Sequence, residues 1–430
     1  MPTAIAYSSL LMTVVLVLTR PRLGSRLRVT PAMASGIGAT VLLVFGIVNV
    51  GDFHHSARDL WRPFLTVASI MISTVLAHRT GIFDRLGRRV EKLTRHGVSR
   101  PFTLVFLIGA ITAALLNNDA AILLLTPMLV PMIGRLFPKR PYLQTTFAFA
   151  IFTAAGIAPL ATSNPMNLVV AEQVGIGFNQ YAARMLPVSL VAAVVSFIMI
   201  RWTYRAQIND AVPARGPERG SFAELEPAAK WVLGILVATL ATYPILSAFD
   251  GPVWVVAVVG ACLTSVLCLR AHIASARDIV ESVAWDVLIF VFFMFVMGTG
   301  LRKMGAIESL ASLYHVASPG SPIRLAVVGA VSALGSAVLN NHPMAVLNVM
   351  ALKSIGGDVR PEVLAALVGG DLGPRFLPIG SLAGLLWLDA LRREGVEVRV
   401  REFVRVGALV TIPALAAALA ALIAVSSLPW

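Results

Sequence analysis

Apolar stretches long enough to cross a membrane recur along the whole of this 430-residue chain, beginning with residues 4–19, 32–50 and 59–78. At 1.5 Å of rise per helical residue, such lengths suit a hydrocarbon core roughly 30 Å thick. No other feature narrows the fold so far. Composition agrees: 57% of residues are hydrophobic and 13% charged, with mean hydropathy +0.81, against about 25% charged in a soluble domain. The chain reads as a polytopic helical membrane protein.

A net charge of +13 would suit a nucleic-acid partner, but its distribution points to the bilayer. Basic residues gather in short loops between apolar segments, the pattern that orients a membrane protein with positive loops inside. No Lys or Arg precedes the apolar run 4–18, while Arg20, Arg22, Arg26 and Arg28 follow it. That order marks a first span with its N-terminus outside rather than a cleavable signal peptide. Cys262 and Cys268 share one apolar segment at a spacing of six, about 240° around a helix, and read as small buried hydrophobes.

Further spans fall near 184–204, 231–249, 253–269, 285–301 and 405–426. Residues 79–100, with seven Lys/Arg, read as a basic amphipathic surface helix. Two apolar helix pairs, 101–136 and 322–353, are hinged at Asn117-Asn118-Asp119 and at Asn340-Asn341-His342-Pro343. Two broken spans, 142–172 and 361–391, are interrupted at "APLATSNPMN" and "DLGPRFLPIGS". Hinge and break are 46 residues apart in one half (Asn117 to Ser163) and 41 in the other (Asn340 to Ser381). Paired interruptions at matching positions of two halves point to the binding site of a secondary transporter.

The expected fold is therefore an all-α polytopic membrane protein of two inverted repeats. It has about ten transmembrane spans plus two re-entrant hairpins, with two broken helices. Residues 1–204 form the first repeat (scaffold 1–78, hairpin and broken span 101–172), and 205–229 a cytoplasmic linker. Residues 230–430 form the second repeat, with scaffold 231–301, hairpin and broken span 322–391, and a last span 405–426. In this topology 26 of the 35 Lys/Arg lie in cytoplasmic loops, eight lie outside and Arg375 stays in the membrane. The first hairpin opens to the cytoplasm and the second to the outside, as inversion requires, and both termini lie outside. Pairs of full spans have the same parity and satisfy the charge rule equally; the polar hinges in such apolar helices favour hairpins.

A hinge or break at membrane depth frees backbone N–H and C=O groups that lipid cannot satisfy. Where they line a cavity they become ligands, and helix N-termini there present partial positive charge to oxygen-rich solutes. Asn117, Asn118, Ser163, Asn164, Asn167, Asn340, Asn341 and Ser381 add donors and acceptors without net charge. That set suits a small, neutral, hydroxyl-bearing solute. The plainer reading makes them helix caps and inter-helix contacts worth about 0.6 kcal/mol each; two symmetric Asn pairs favour binding.

Asp119 and Asp371 are the carboxylates placed deep in the membrane, where a carboxylate is paired or protonated. Arg375 follows Asp371 by four residues, which predicts an ion pair and a structural anion. Asp119 is the expected main proton carrier, with His342 approaching from the opposite hairpin as a coupled partner. No Gly-Lys dipeptide and no His-Glu-x-x-His occurs, so the sequence encodes neither a P-loop nor that zinc site, and no cofactor is expected. The stretch "VGGDLG" has Val368 where an intramembrane aspartyl protease needs glycine.

On these residues the chain resembles the ArsB-type arsenite efflux transporters of the ion-transporter superfamily. The resemblance covers nearly the whole chain. It is carried by Asn118-Asp119-Ala120-Ala121 with Thr126-Pro127, by Ser163-Asn164 with Asn167, and by Trp285 with Ile289-Phe290. Its most specific part is "GDLGPRFLPIGSLAGLLWL", residues 370–388. It implies expulsion of trivalent arsenite and antimonite as undissociated hydroxides in exchange for protons, across the cell inner membrane. It further implies a transport domain of hairpins and broken spans, a soluble ATPase subunit as partner in some relatives, and a homodimer with elevator-like movement. The chain departs from the family pattern at Ala120 (often Gly), Arg375 (commonly Lys) and His342 (often hydrophobic). Thiolate is the usual cellular ligand of arsenite, yet both thiols lie in a scaffold span, so recognition would rest on hydrogen bonds to As(OH)₃. The alternatives are a sodium/proton antiporter or a small-anion transporter on the same fold, and a non-transporting membrane enzyme.

The charge-based topology makes a direct prediction. A reporter cysteine at Arg88 should label from the cytoplasm and one at Gly357 from outside. Labelling from the same side would refute the inverted arrangement.

Overall fold

The computed structural model describes residues 2–19, 21–23, 27–93, 97–156, 158–209, 226–249, 251–305 and 307–426. Its secondary structure is helical apart from a two-residue antiparallel ladder, Arg22–Leu23 with Leu27–Arg28. The opening helices are α1 (Pro2–Thr19), α2 (Pro31–Val44) and α3 (Val50–Arg79). Thr30 caps α2, with Pro31 at the first helical position where its missing N–H costs nothing. Asn49 and Asp52 close a reciprocal capping box on α3, so this helix starts well before the expected residue 59. Conversely α2 stops at Val44, before a turn in which Gly46 takes φ +67°.

The basic amphipathic segment is α4 (Ile82–Leu93). Helices α5 (Ser99–Leu115) and α6 (Asn118–Leu136) flank the first hinge, and α7 (Tyr142–Ala155) and α8 (Pro165–Gln173) the first break. A 3-10 turn, Ala161–Ser163, sits inside that break. Then come α9 (Phe178–Thr203) and the short α10 (Arg205–Asn209), which occupies the start of the expected linker. Residues 210–225 of that linker lie outside the described residues, and its end, 226–229, is the cap and first turn of the next helix.

Next follow α11 (Pro227–Ala248), α12 (Val253–Arg270), α13 (Ala276–Glu281), α14 (Trp285–Lys303) and α15 (Glu308–Tyr314). The second hinge separates α16 (Pro322–Leu339) from α17 (Asn341–Ile355). The second break separates α18 (Arg360–Leu372) from α19 (Leu382–Arg393) and holds the 3-10 turns Gly373–Arg375 and Pro378–Gly380. The last helix is α20 (Val400–Ser426). The order hinge, broken helix, long helix thus occurs twice.

Among the described residues, six helical stretches are long and apolar enough to span a bilayer: α3, α9, α11, Ala276–Lys303, α16 and α20. Shorter apolar helices include α1, α2, α5, α6, α7 and α12. The protein is an all-helical, multi-span membrane protein.

The two broken segments cross over each other. Helix α8, from the first half, packs on α17 and α18, and its Met166, Leu168 and Val169 join the core that contains Val346 and Val363. Helix α19, from the second half, packs on α6 and α7 instead. Its fully buried Trp387 meets the rings of Phe152 (4.8 Å between centroids), Phe149 (5.1 Å) and Phe403 (5.9 Å). Helices α16 and α18 approach closely: a Cβ added at Gly369 would stand 2.8 Å from Ala333 N. Small residues let two backbones meet in this way where lipid supplies no hydrophobic drive. The breaks are therefore buried in protein, where irregular backbone is tolerated.

Candidate functional site

The polar residues at the interruptions first of all satisfy backbone. Asn164 Oδ1 accepts from Met166 N (3.1 Å) and so caps α8 ahead of Pro165. Ser381 Oγ accepts from Gly384 N (3.0 Å) and caps α19. Asn340 caps α17 through His342 N (3.3 Å) and donates to Ile379 O (3.3 Å). Its φ of +80° is a conformation L-residues seldom adopt, and these two hydrogen bonds hold it there. Ser163 Oγ donates to Ala114 O (2.8 Å) and accepts from Leu160 N (3.1 Å). With its nitrogen turned toward acceptors, the Asn118 amide donates to Ala155 O (2.6 Å) and Ser163 O (3.1 Å). Each half thereby ties its hinge to its own break.

Four helix starts meet at one enclosed space. Asn118 opens α6, Asn341 opens α17, and Asn164 and Ser381 cap α8 and α19; all four line a cavity of about 40 Å³ together with His342, Asp371, Arg375 and Phe152. Aligned peptide dipoles put partial positive charge at each helix start. Of the expected ligands, Asn117, Ser163, Asn167 and Asn340 are buried but do not line this cavity. The side chain of Asp119 lies outside the described residues.

Asp371 is 8% exposed, and both its carboxylate oxygens are held by amides from α8. Asn164 Nδ2 donates to Oδ1 at 2.7 Å and Asn167 Nδ2 to Oδ2 at 2.7 Å. The same Asn167 amide donates to the Tyr181 hydroxyl (2.9 Å), which in turn donates to Ala158 O (3.3 Å). The expected ion pair with Arg375 is replaced by this arrangement. The 3-10 turn Gly373–Arg375 directs the guanidinium elsewhere: Nη1 donates to Ser196 Oγ (3.0 Å) and Nη2 to Thr153 O (2.6 Å). Among the described residues its Nε has no hydrogen-bond partner, nor has His342 Nε2. His342 Nδ1 lies 2.9 Å from Asn341 Oδ1, and the ring stands edge-on to Phe290.

Sequence reasoning missed Tyr181, Ser196, the Thr153 carbonyl and Gly156. Ser196 and Tyr181 were visible as polar groups in or beside an apolar span. A backbone carbonyl leaves no sequence signal. Gly156 matters by what it lacks: a Cβ there would lie 2.7 Å from Arg375 Nε and 2.8 Å from Nη2.

Comparison with known proteins places these features in context. The model of the CitMHS family, described as citrate transporter, matches residues 13–370. The arsenical pump membrane protein of Escherichia coli (strain K12) is 30% identical over 420 residues, covering 96% of each chain. That of Yersinia enterocolitica is 29% identical over 426 residues, covering 97% of this chain and 98% of its own. Among solved structures, the Alcanivorax borkumensis YdaH transporter aligns with TM-score 0.63 at 16% identity over 100% of this chain and 99% of that one. The Neisseria gonorrhoeae MtrF structure aligns with TM-score 0.55 at 12% identity, covering 99% and 94%. These two are similar in fold.

Gly156→Ala tests the seat of the guanidinium. The added methyl should destabilise the purified protein by about 1–3 kcal/mol, the usual cost of overpacking. Combining it with Arg375→Ala should remove most of that increment, a non-additivity expected of residues in contact. Strict additivity in thermal unfolding would show that the two residues do not meet.

Proposed function

Because the chain belongs to the CitMHS citrate transporter family, we propose that it is a secondary transporter exporting trivalent arsenite and antimonite as neutral hydroxides in exchange for protons. The carrying observation is the cavity at the four helix starts. Its volume of about 40 Å³ accommodates about three or four water-sized spheres, a solute of a few heavy atoms. Drug-sized ligands occupy about 300–1,000 Å³, and a tricarboxylate is nearer to them than to this space. The walls offer amide and guanidinium donors to oxygen, while Asp371 accepts from hydroxyl hydrogens and repels an anion that has none. A trihydroxide uses both kinds of partner.

In this reading Asn118, Asn164, Asn341 and Ser381 contact the solute, and Asn117, Ser163, Asn167 and Asn340 hold the breaks in shape. The α5–α6 and α16–α17 pairs act as re-entrant hairpins of two inverted repeats. The 15 residues of α17 reach only about 22 Å at helical rise, while its partner α16 is long enough to cross. The polar hinges at membrane depth are what support that assignment. Each hairpin and broken helix moves with its partners as a transport domain.

Uptake of arsenite into everted vesicles tests the proposal. Accumulation should follow an imposed pH gradient and be indifferent to sodium. Sodium-driven uptake, or uptake of a carboxylate in its place, would sink it.

Neither thiol lines the cavity, and Cys262 is exposed on α12 while Cys268 is buried beside Leu76 and Ala77. Cells carrying the Cys262→Ser, Cys268→Ser protein should therefore keep their arsenite resistance. Its loss at normal expression would restore a thiolate route.

A further inference from the structure

We infer that Asp371, rather than Asp119, is the group that exchanges the proton, and that the Asn167–Tyr181 pair reports its protonation to the first helix break. This deepens the antiport reading above and rests on it for the direction of transport.

An ionised carboxylate offers only acceptors, and here each oxygen receives one amide N–H at 2.7 Å. Adding a proton turns one oxygen into a donor that faces another donor. The two sides then differ. Asn164 cannot turn its amide over, because its Oδ1 is already the cap for Met166 N at 3.1 Å, and inversion would oppose two N–H groups at the start of α8. Asn167 is not fixed in this way. Its amide nitrogen bridges Asp371 and the Tyr181 hydroxyl, and that hydroxyl can rotate.

A proton on Oδ2 is accommodated in one step. The Asn167 amide inverts, its oxygen accepts the new O–H, and Tyr181 turns its own O–H from Ala158 O toward Asn167. No atom is gained or lost apart from the exchanged proton, which enters from water and leaves to water. The consequence falls on Ala158, whose carbonyl loses its partner. Ala158 lies between the end of α7 and Ser163, in the break whose other end carries Asn164. Protonation of a residue in the second half is thus felt in the hinge of the first.

Among the described residues, the titratable groups near Asp371 are Arg375 on its own segment, His342 at the start of α17 and Tyr181 on α9. Helix α8 contributes neutral amides, and α16 faces α18 there with Ser332, Ala333 and Ser336. The buried residues of α20 are apolar or hydroxylic. The buried pair Arg324–Glu362 (3.1 Å) sits at the far end of α18. Arg375 is committed to Ser196 and Thr153, so it adds positive potential without occupying the carboxylate.

The experiment has a substrate-free arm and a transport arm. In the first, amide hydrogen exchange of residues 156–167 is followed in the purified protein at acid and alkaline pH and corrected for intrinsic rates. Wild type should be less protected in acid, whereas Asp371→Asn should be the same at both. No pH difference in wild type, or one that persists in Asp371→Asn, would overturn the inference whatever the substrate.

In the second arm, Asp371→Asn should lose pH-driven arsenite accumulation in everted vesicles, and its residual downhill counterflow, weakened by the lost acceptor, should be independent of pH. Tyr181→Phe keeps the carboxylate that carries the proton, so pH-driven uptake should persist with a displaced profile. The pH difference in exchange of residues 156–167 should be lost with the hydroxyl that relays it to Ala158. Freed of its hydroxyl partner, Asn167 turns more easily, so the pH at half-maximal uptake should move upward by roughly one unit. An unmoved profile in Tyr181→Phe, or accumulation retained by Asp371→Asn, would refute the assignment. Absence of arsenite transport by wild type would instead refute the proposed function, while the exchange arm still decides the proton site.

Discussion

A helix that stops inside a membrane leaves up to four N–H groups without partners at its next start, in a medium where each costs several kcal/mol. This chain stops and restarts four times at one place. The residues that satisfy backbone at these restarts therefore come before any question of binding: Asn164, Asn340 and Ser381 accept from freed N–H groups, and Asn118 donates to the carbonyls of Ala155 and Ser163. Had they only capped, the site would be a closed knot of hydrogen bonds. Three of them also border the cavity, and Asn164 caps with its oxygen and holds Asp371 with its nitrogen. Capping and binding use different atoms of the same amide.

The crossing of α8 and α19 gives this arrangement its reach. Were each broken helix packed only on its own hairpin, the halves would be independent bodies with two separate polar pockets. Instead Trp387 anchors the second broken span among Phe149, Phe152 and Phe403, and Asp371 joins the second half to Asn164 and Asn167 of the first. Both cross-links converge near the cavity. A solute bound there touches elements of both halves, and a change in one half's break has a direct route to the other.

The long apolar runs, both hinges and both breaks were legible because membrane depth makes every polar residue conspicuous. Asn118, Asn341, Ser381 and Asp371 could be named from their places in such runs. Helix boundaries were less so: the capping box of Asn49 and Asp52 extends α3 back through a stretch containing His54, His55 and Arg58 that hydropathy alone would exclude. The partner of Asp371 was misjudged for a different reason. A spacing of four suggests an ion pair only on a regular helix, and Gly373-Pro374 begins a 3-10 turn instead. The amides that replace Arg375 come from more than 200 residues away, a distance no local pattern spans.

That misjudgement exposes a requirement of the site. A buried aspartate and arginine in direct contact would satisfy each other, recovering part of a desolvation cost of several kcal/mol per ion, and would leave nothing for a solute. Here each charge is held from behind. Neutral amides hold the carboxylate, a hydroxyl and a carbonyl hold the guanidinium, and Gly156 gives the guanidinium room to lie flat against the backbone. The pair still offsets one another at a distance, so the space between them carries little net charge from side chains. Both residues line the cavity, and Arg375 Nε is without a partner among the described residues. Opposite charges kept apart by their own second partners make a polar cavity of a few waters' size without collapsing it, and what its walls offer a small solute is hydrogen bonds to neutral amides, a carboxylate and a guanidinium.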